Sequence, residues 1–246
     1  MPGTVAPAFA ALKPGYNESM AANVKILSGG AMRSLMVELA PLLERASDAK
    51  VEIEFRLTSV LQKEIEDGAA FDIALLPRPE LDALVRGNKI AAGSTADITR
   101  SSVGLAVKVG APIPDISTVA SLKRALLDAR SIGYSDGPSG AYIAALLERL
   151  GIADAMKPKT KLTSRPVAEL VAAGEAELGM QQIVAILPVK GAELVGPLPS
   201  DLQNIIIYAA GLSATAQNSA AAKNCIVFMR SREAVRLIRT KGMEPG

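Results

Sequence analysis

The chain contains no histidine, no tryptophan, one cysteine and only 3% aromatic residues, and each shortage removes a class of function. Without histidine there is no Ser-His-Asp triad, no imidazole acid–base chemistry and no His-ligated zinc or iron site. Cys225 alone forms neither an intrachain disulfide nor a thiolate cluster, and its apolar neighbours mark it as a buried filler. So few rings leave little for stacking on sugars or nucleobases. Charge is nearly balanced, with 27 Lys and Arg against 25 Asp and Glu, and no long basic run marks a nucleic-acid partner. No apolar run reaches the length of a membrane span. These residues call for no cofactor and no metal, and the expected ligand is small and polar.

What is present is apolar substance, 49% of 246 residues, enough for one large or two small domains with a sizeable core. Residues 1–19 lack a basic head, and Pro7 and Lys13 interrupt their apolar stretch, so they do not read as an export signal. They read as a disordered extension ahead of Met20. On that basis the expected location is cytoplasmic, or periplasmic if a native leader has been replaced.

The strongest local signal lies where the apolar run Val24 to Leu27 meets Ser28-Gly29-Gly30-Ala31-Met32. Beyond it, Met32, Leu35, Met36, Leu39, Leu42 and Leu43 recur at three- and four-residue steps, the stripe of an amphipathic helix that begins near Gly30. The first N–H groups of such a helix have no intrahelical partner and sit at the positive end of its dipole, so the junction suits an anion. Taken alone, it equally suits a capped tight turn.

Similar junctions recur along the chain. Val51 to Leu57 alternates as a strand with one wet face, and Thr58-Ser59 opens a helix ended by Gly68, with either hydroxyl available as its N-cap. Asp72 to Leu76 reads as a short buried strand, Pro77 and Pro79 break it, and a helix covers Glu80 to Val85. Ser102 to Val109 is a strand and Ser117 to Asp128 a helix. Ser131 to Tyr134 is a strand, followed by the polar loop Ser135 to Gly140 and a helix from Ala141 to Leu150. Lys159 to Leu162 is a strand and Val167 to Ala173 a helix stopped by Gly174. Leu178 to Gln182 is a strand running into Ile183 to Leu187, with two adjacent amides at its end. Leu194 to Leu198 and Ile205 to Leu212 are strands, and helices cover Ser219 to Met229 and Arg232 to Thr240. This alternation predicts α/β architecture with a mainly parallel sheet.

In order and spacing these segments resemble the type II periplasmic solute-binding proteins, in particular the molybdate-binding branch. The residues that carry the likeness are Ile26 to Met32, Thr58 to Gly68, Phe71 to Leu76, Gly137 to Tyr142, Ala173 to Gly179 and Lys241 to Pro245. The resemblance implies two α/β lobes with a ligand cleft between them, the first of residues 20–102 plus 207–246 and the second of 103–206. It also implies capture of a small anion, an organic carboxylate or an oxyanion such as molybdate, for an ABC transporter permease. Ser28, Gly29, Gly30, Ala31, Thr58, Ser59, Ser139 and Gly140 would then face the cleft. Gln181 and Gln182 stand where molybdate binders usually have a tyrosine, and their mixed donors and acceptors favour a carboxylic acid. Arg78 follows a strand end, where it is placed either to pair with a ligand carboxylate or to remain a solvated surface cation. A second function fits the same scaffold: a cytosolic isomerase of a small unsaturated polycarboxylate, with a carboxylate, Lys, Tyr or activated Ser as its base.

Overall fold

The computed structural model describes residues 22–135 and 138–246. The extension expected at residues 1–19 and the Ser139 side chain lie outside what is described. In chain order the strands are β1 (Ala22–Gly29), β2 (Ala49–Arg56), β3 (Ile73–Pro77), β4 (Ala96–Ser101), β5 (Val103–Lys108), β6 (Ile132–Ser135), β7 (Thr160–Thr163), β8 (Leu178–Gln182), β9 (Ala192–Pro197), β10 (Ile206–Leu212) and β11 (Glu244–Pro245). The helices are α1 (Arg33–Ser47), α2 (Thr58–Glu66), α3 (Arg78–Arg86), α4 (Val119–Asp128), α5 (Pro138–Arg149), α6 (Ala153–Met156), α7 (Val167–Ala173), α8 (Ile183–Ile186), α9 (Ser219–Met229) and α10 (Arg232–Thr240).

The strands form two sheets, ordered β11-β4-β10-β3-β1-β2 and β7-β6-β8-β5-β9. Neither sheet is mainly parallel, contrary to the prediction from alternation. The pairs β1·β2, β1·β3, β6·β7 and β6·β8 are parallel, whereas β10 runs against β3 and β4, and β5 against β8 and β9. The reason is topological. The chain crosses between sheets at β4 to β5 and again at β9 to β10, so β5 and β10 arrive from the other sheet and not by a helical crossover. Each enters beside the carboxyl end of a parallel strand, Val103 opposite Gln182 and Tyr208 opposite Pro77. The carboxyl edges of both sheets are thereby turned toward the crossing.

The crossing is tied by one side chain. The Gln203 carboxamide accepts from the Val103 N–H at 2.7 Å and donates to the carbonyls of Val103 and Leu198 at 3.0 and 3.2 Å. Polar β4, with Asp97, Thr99 and Arg100, escaped the sequence reading because its apolar content is low. The break at Ser102 divides the expected Ser102–Val109 strand from it.

Local chemistry accounts for other differences. The glycine junction forms a 3-10 turn over Gly30–Met32 before α1 begins at Arg33. Its stripe buries Met32, Leu35, Met36, Leu39 and Leu43 in the core of the first sheet, while Leu42 is half-buried. The N-cap of α2 is Leu57 with no side-chain cap, so neither Thr58 nor Ser59 caps that helix; both are already inside it. The helix expected from Ser117 begins at Val119, capped by Thr118, which forms a reciprocal capping box with Ser121. The strand β8 stops at Gln182, and Ile183–Ile186 is one helical turn. Gly174 closes α7 in the left-handed region at φ 77°, as its sequence position implied. Cys225 is fully buried in α9, and burial pushes its thiol above the ordinary range.

The buried Asp72 fastens the first sheet to α9. Its carboxylate accepts from the backbone N–H groups of Lys25 and Asn218, both at 3.0 Å. Replacement by alanine leaves two buried donors unpaired, and Asp72→Ala is expected to lower unfolding stability by about 2–4 kcal/mol. Urea denaturation checks this, and a loss below about 1 kcal/mol would contradict the role.

Candidate functional site

Three parallel strands of the first sheet end side by side, with Gly29 in register with Arg56 and Ser28 with both Phe55 and Leu75. Each end runs directly into the start of a helix, at Gly30, Thr58 and Arg78. Three sets of unpaired N–H groups therefore collect along one edge. The ends approach closely: a Cβ on Gly29 would lie 3.3 Å from the Thr58 hydroxyl oxygen, so the backbone there has room only for glycine or a slightly shifted neighbour.

A cleft of about 1030 Å³ opens over this edge. Gly30, Ala31, Leu57, Thr58 and the start of α3 line it from the first sheet, Asn204 to Tyr208 from the crossing, and Gln182 from the end of β8. The Tyr208 hydroxyl donates to Gln182 Oε1 at 3.3 Å, a bond from one sheet to the other. The wall is mixed in character. Ile205 and Leu57 are exposed apolar residues at the cleft, whereas Arg78, Glu80, Asp82 and Arg86 bring two charges of each sign.

The sequence-derived candidates separate under this geometry. Gly30, Ala31, Thr58, Arg78 and Gln182 line the cleft. Ser28 does not: it is fully buried and its hydroxyl donates to the Gly29 carbonyl at 3.3 Å. Ser59 is exposed and absent from the lining. Gln181 faces the opposite side of its strand from Gln182, as pleating requires. Its Oε1 accepts from Val167 N at 2.7 Å at the start of α7, while its buried Nε2 has no partner among the described residues. Arg78 lies on the cleft wall, but its guanidinium is shared between Asp82, 3.0 Å from Nε, and Asp97, 2.7 Å from Nη1. The two-pronged fork anticipated for a ligand carboxylate is thus occupied. Gly140 is buried against Ser135, with no room for a side chain.

Sequence reasoning missed Glu80, Arg86 and Tyr208. Glu80 follows the third strand-to-helix junction by two residues, so the pattern that singled out Arg78 also pointed there; Tyr208 carried no local signal. Glu80 Oε2 is buried and without a partner among the described residues. Burial pushes the Tyr208 phenol up to about 12, its bond to Gln182 opposes this, and the Glu80 charge adds to the rise. Among the described residues no group of three or more His, Cys, Asp or Glu side chains is placed to hold a metal ion, and no helix is long and apolar enough to cross a membrane.

Two α/β sheets whose carboxyl edges meet at a double crossing, with a cleft beside it, define the two-lobed type II solute-binding architecture. The chain belongs to the bacterial extracellular solute-binding protein family, whose sequence profile matches residues 24–244. It is 30% identical over 227 residues to a Pseudomonas protein named aconitate isomerase, covering 89% of this chain and 87% of that one. Its fold is similar to the substrate-binding domain of a molybdenum ABC transporter from Clostridium difficile, with a TM-score of 0.79, 16% identity, and 92% and 100% of the two chains covered. The periplasmic molybdate-binding protein of Azotobacter vinelandii gives a TM-score of 0.71 at 16% identity over 91% of this chain and 99% of that one.

The phenol yields a direct check of the cleft's interior. A neutral phenol is favoured by burial, so the stability it contributes is complete below its unfolded pKa of about 10 and is lost as pH rises toward 12. In an ultraviolet titration, the difference between wild type and Tyr208→Phe should be one phenol that ionises near 12. A midpoint at the ordinary value for that phenol would contradict its burial.

Proposed function

We propose that the protein binds a small organic polycarboxylate in the cleft beside the crossing. The observation that carries this reading is the convergence of three helix starts, at Gly30, Thr58 and Arg78, on a cleft whose other wall is the apolar Ile205 to Ile207 and Gln182. Backbone N–H groups and helix dipoles hold carboxylate oxygens without burying a fixed countercharge. Apolar walls reward a carbon skeleton, which an inorganic oxyanion lacks. Arg86 has no ion-pair partner among the described residues and supplies a cation at the mouth.

A second reading, that the bound acid is also isomerised, is favoured by the relative named aconitate isomerase and by Glu80 Oε2 in the same cleft, unpartnered among the described residues. A capture protein for an ABC transporter would perform the binding without the chemistry. The structural neighbours support that role by fold alone.

A thermal-shift screen against cis- and trans-aconitate, citrate, sulfate and molybdate tests the binding. A ligand at a hundred times its Kd adds about 2.7 kcal/mol, or roughly 5–10 °C in Tm for a chain of this size. The aconitates and citrate should raise the melt and molybdate should not; the reverse pattern would defeat the proposal. Thr58→Phe should remove the shift with little change to the unliganded melt, whereas Ser59→Phe should leave it intact.

A further inference from the structure

Resting on the isomerase reading, we infer that Glu80 is the group that moves the proton. The groups lining the cleft narrow the choice. Asp82 is held by Arg78 at 3.0 Å, the two arginines are permanent cations, and the Tyr208 phenol donates to Gln182. No lysine lines the cleft. Glu80 alone brings a basic atom that no neighbour engages, its Oε2 shielded from water and unpartnered among the described residues.

Its place in the fold suits the task. Glu80 is the third residue of α3, in the first turn of the helix that follows β3. The first turn of a packed helix holds a side chain more firmly than a loop does. Two other helix starts, at Gly30 and Thr58, face the same cleft and can stabilise the charge that a deprotonated acid pushes onto its carboxylate oxygens.

The step balances without a co-reactant. A Glu80 oxygen takes a proton from the ligand methylene beside a carboxylate, and the C–H electron pair becomes a new C=C bond. The old π pair takes a proton at the far carbon, returned by the Glu80 acid. One C–H bond breaks and one forms, the double bond moves by one position, and Glu80 ends as it began. Tyr208, neutral throughout, is a positioning residue that holds Gln182 at the opposite wall.

The test uses trans-aconitate with wild type, Glu80→Gln and Glu80→Asp. Calorimetry follows binding, and proton NMR in deuterated water follows interconversion with the cis isomer and deuterium uptake at the methylene. Glu80→Gln should bind within a few-fold of wild type, melt normally, and lose interconversion and uptake by at least about a hundredfold. Glu80→Asp should regain a measurable part of both. If wild type interconverts the acid and Glu80→Gln does so at a comparable rate, Glu80 is not the base, although the isomerase reading stands. If wild type binds without interconversion or uptake, the isomerase reading fails and this assignment fails with it. If Glu80→Gln loses binding, Glu80 holds the ligand and the assignment is overturned.

Discussion

The two passages of the chain between the sheets are tied to each other at Val103, where β5 begins, and Gln203, just ahead of β10. A primary amide both donates and accepts, so Gln203 satisfies the N–H and the C=O of Val103 as a neighbouring strand would. That bond set fixes where β5 and β10 enter their sheets, and their entry fixes which edges confront each other. Helix starts follow strand ends in any α/β unit. Here the crossing places three of them over a single opening and brings Gln182 opposite.

The cleft is the joint product of two constraints that pull in different directions. Helix starts and arginines favour negative charge, yet Glu80 and Asp82 bring an equal number of carboxylates. Asp82 is neutralised by Arg78, which costs that arginine its freedom to act as a fork. Among the described residues, Glu80 Oε2 is left without a hydrogen-bond partner and Arg86 without an ion-pair partner, the first in the opening turn of α3 and the second at its end. A site that only had to hold an anion would gain from losing the first of them, because a carboxylate repels the anion and its shielded oxygen forgoes water. An unsatisfied oxygen at the cleft is the feature to which the proposed isomerase reading gives a role.

Much of this was legible in the sequence, and the rest was not, for identifiable reasons. The helices α7, α9 and α10 end where the apolar spacing stops, because Gly174 and the polar turns around Arg230 and Lys241 break the pattern. The aspartate at the head of β3 was visible as part of a motif, and its two backbone bonds explain why an acid stands at a buried position. Polar β4 was invisible because its stability comes from partners on both sides rather than from its own apolar residues. Strand direction was misread because alternation of helix and strand carries no information about which strands come from across the crossing. Among the serines and threonines of the junctions, the residue type alone could not separate a hydroxyl that satisfies its own backbone, as at Ser28, from one that borders the opening, as at Thr58. Tyr208 depends wholly on long-range pairing.

The fully buried Cys225 has a use of its own. It is the only thiol in the chain, it lies in the core of the first sheet, and burial holds it in the unreactive protonated form. A thiol reagent reaches it only when α9 leaves that core. The native chain therefore contains a built-in clock for the breathing of one lobe, blind to the other, with a rate that slows whenever a ligand binds only the closed form.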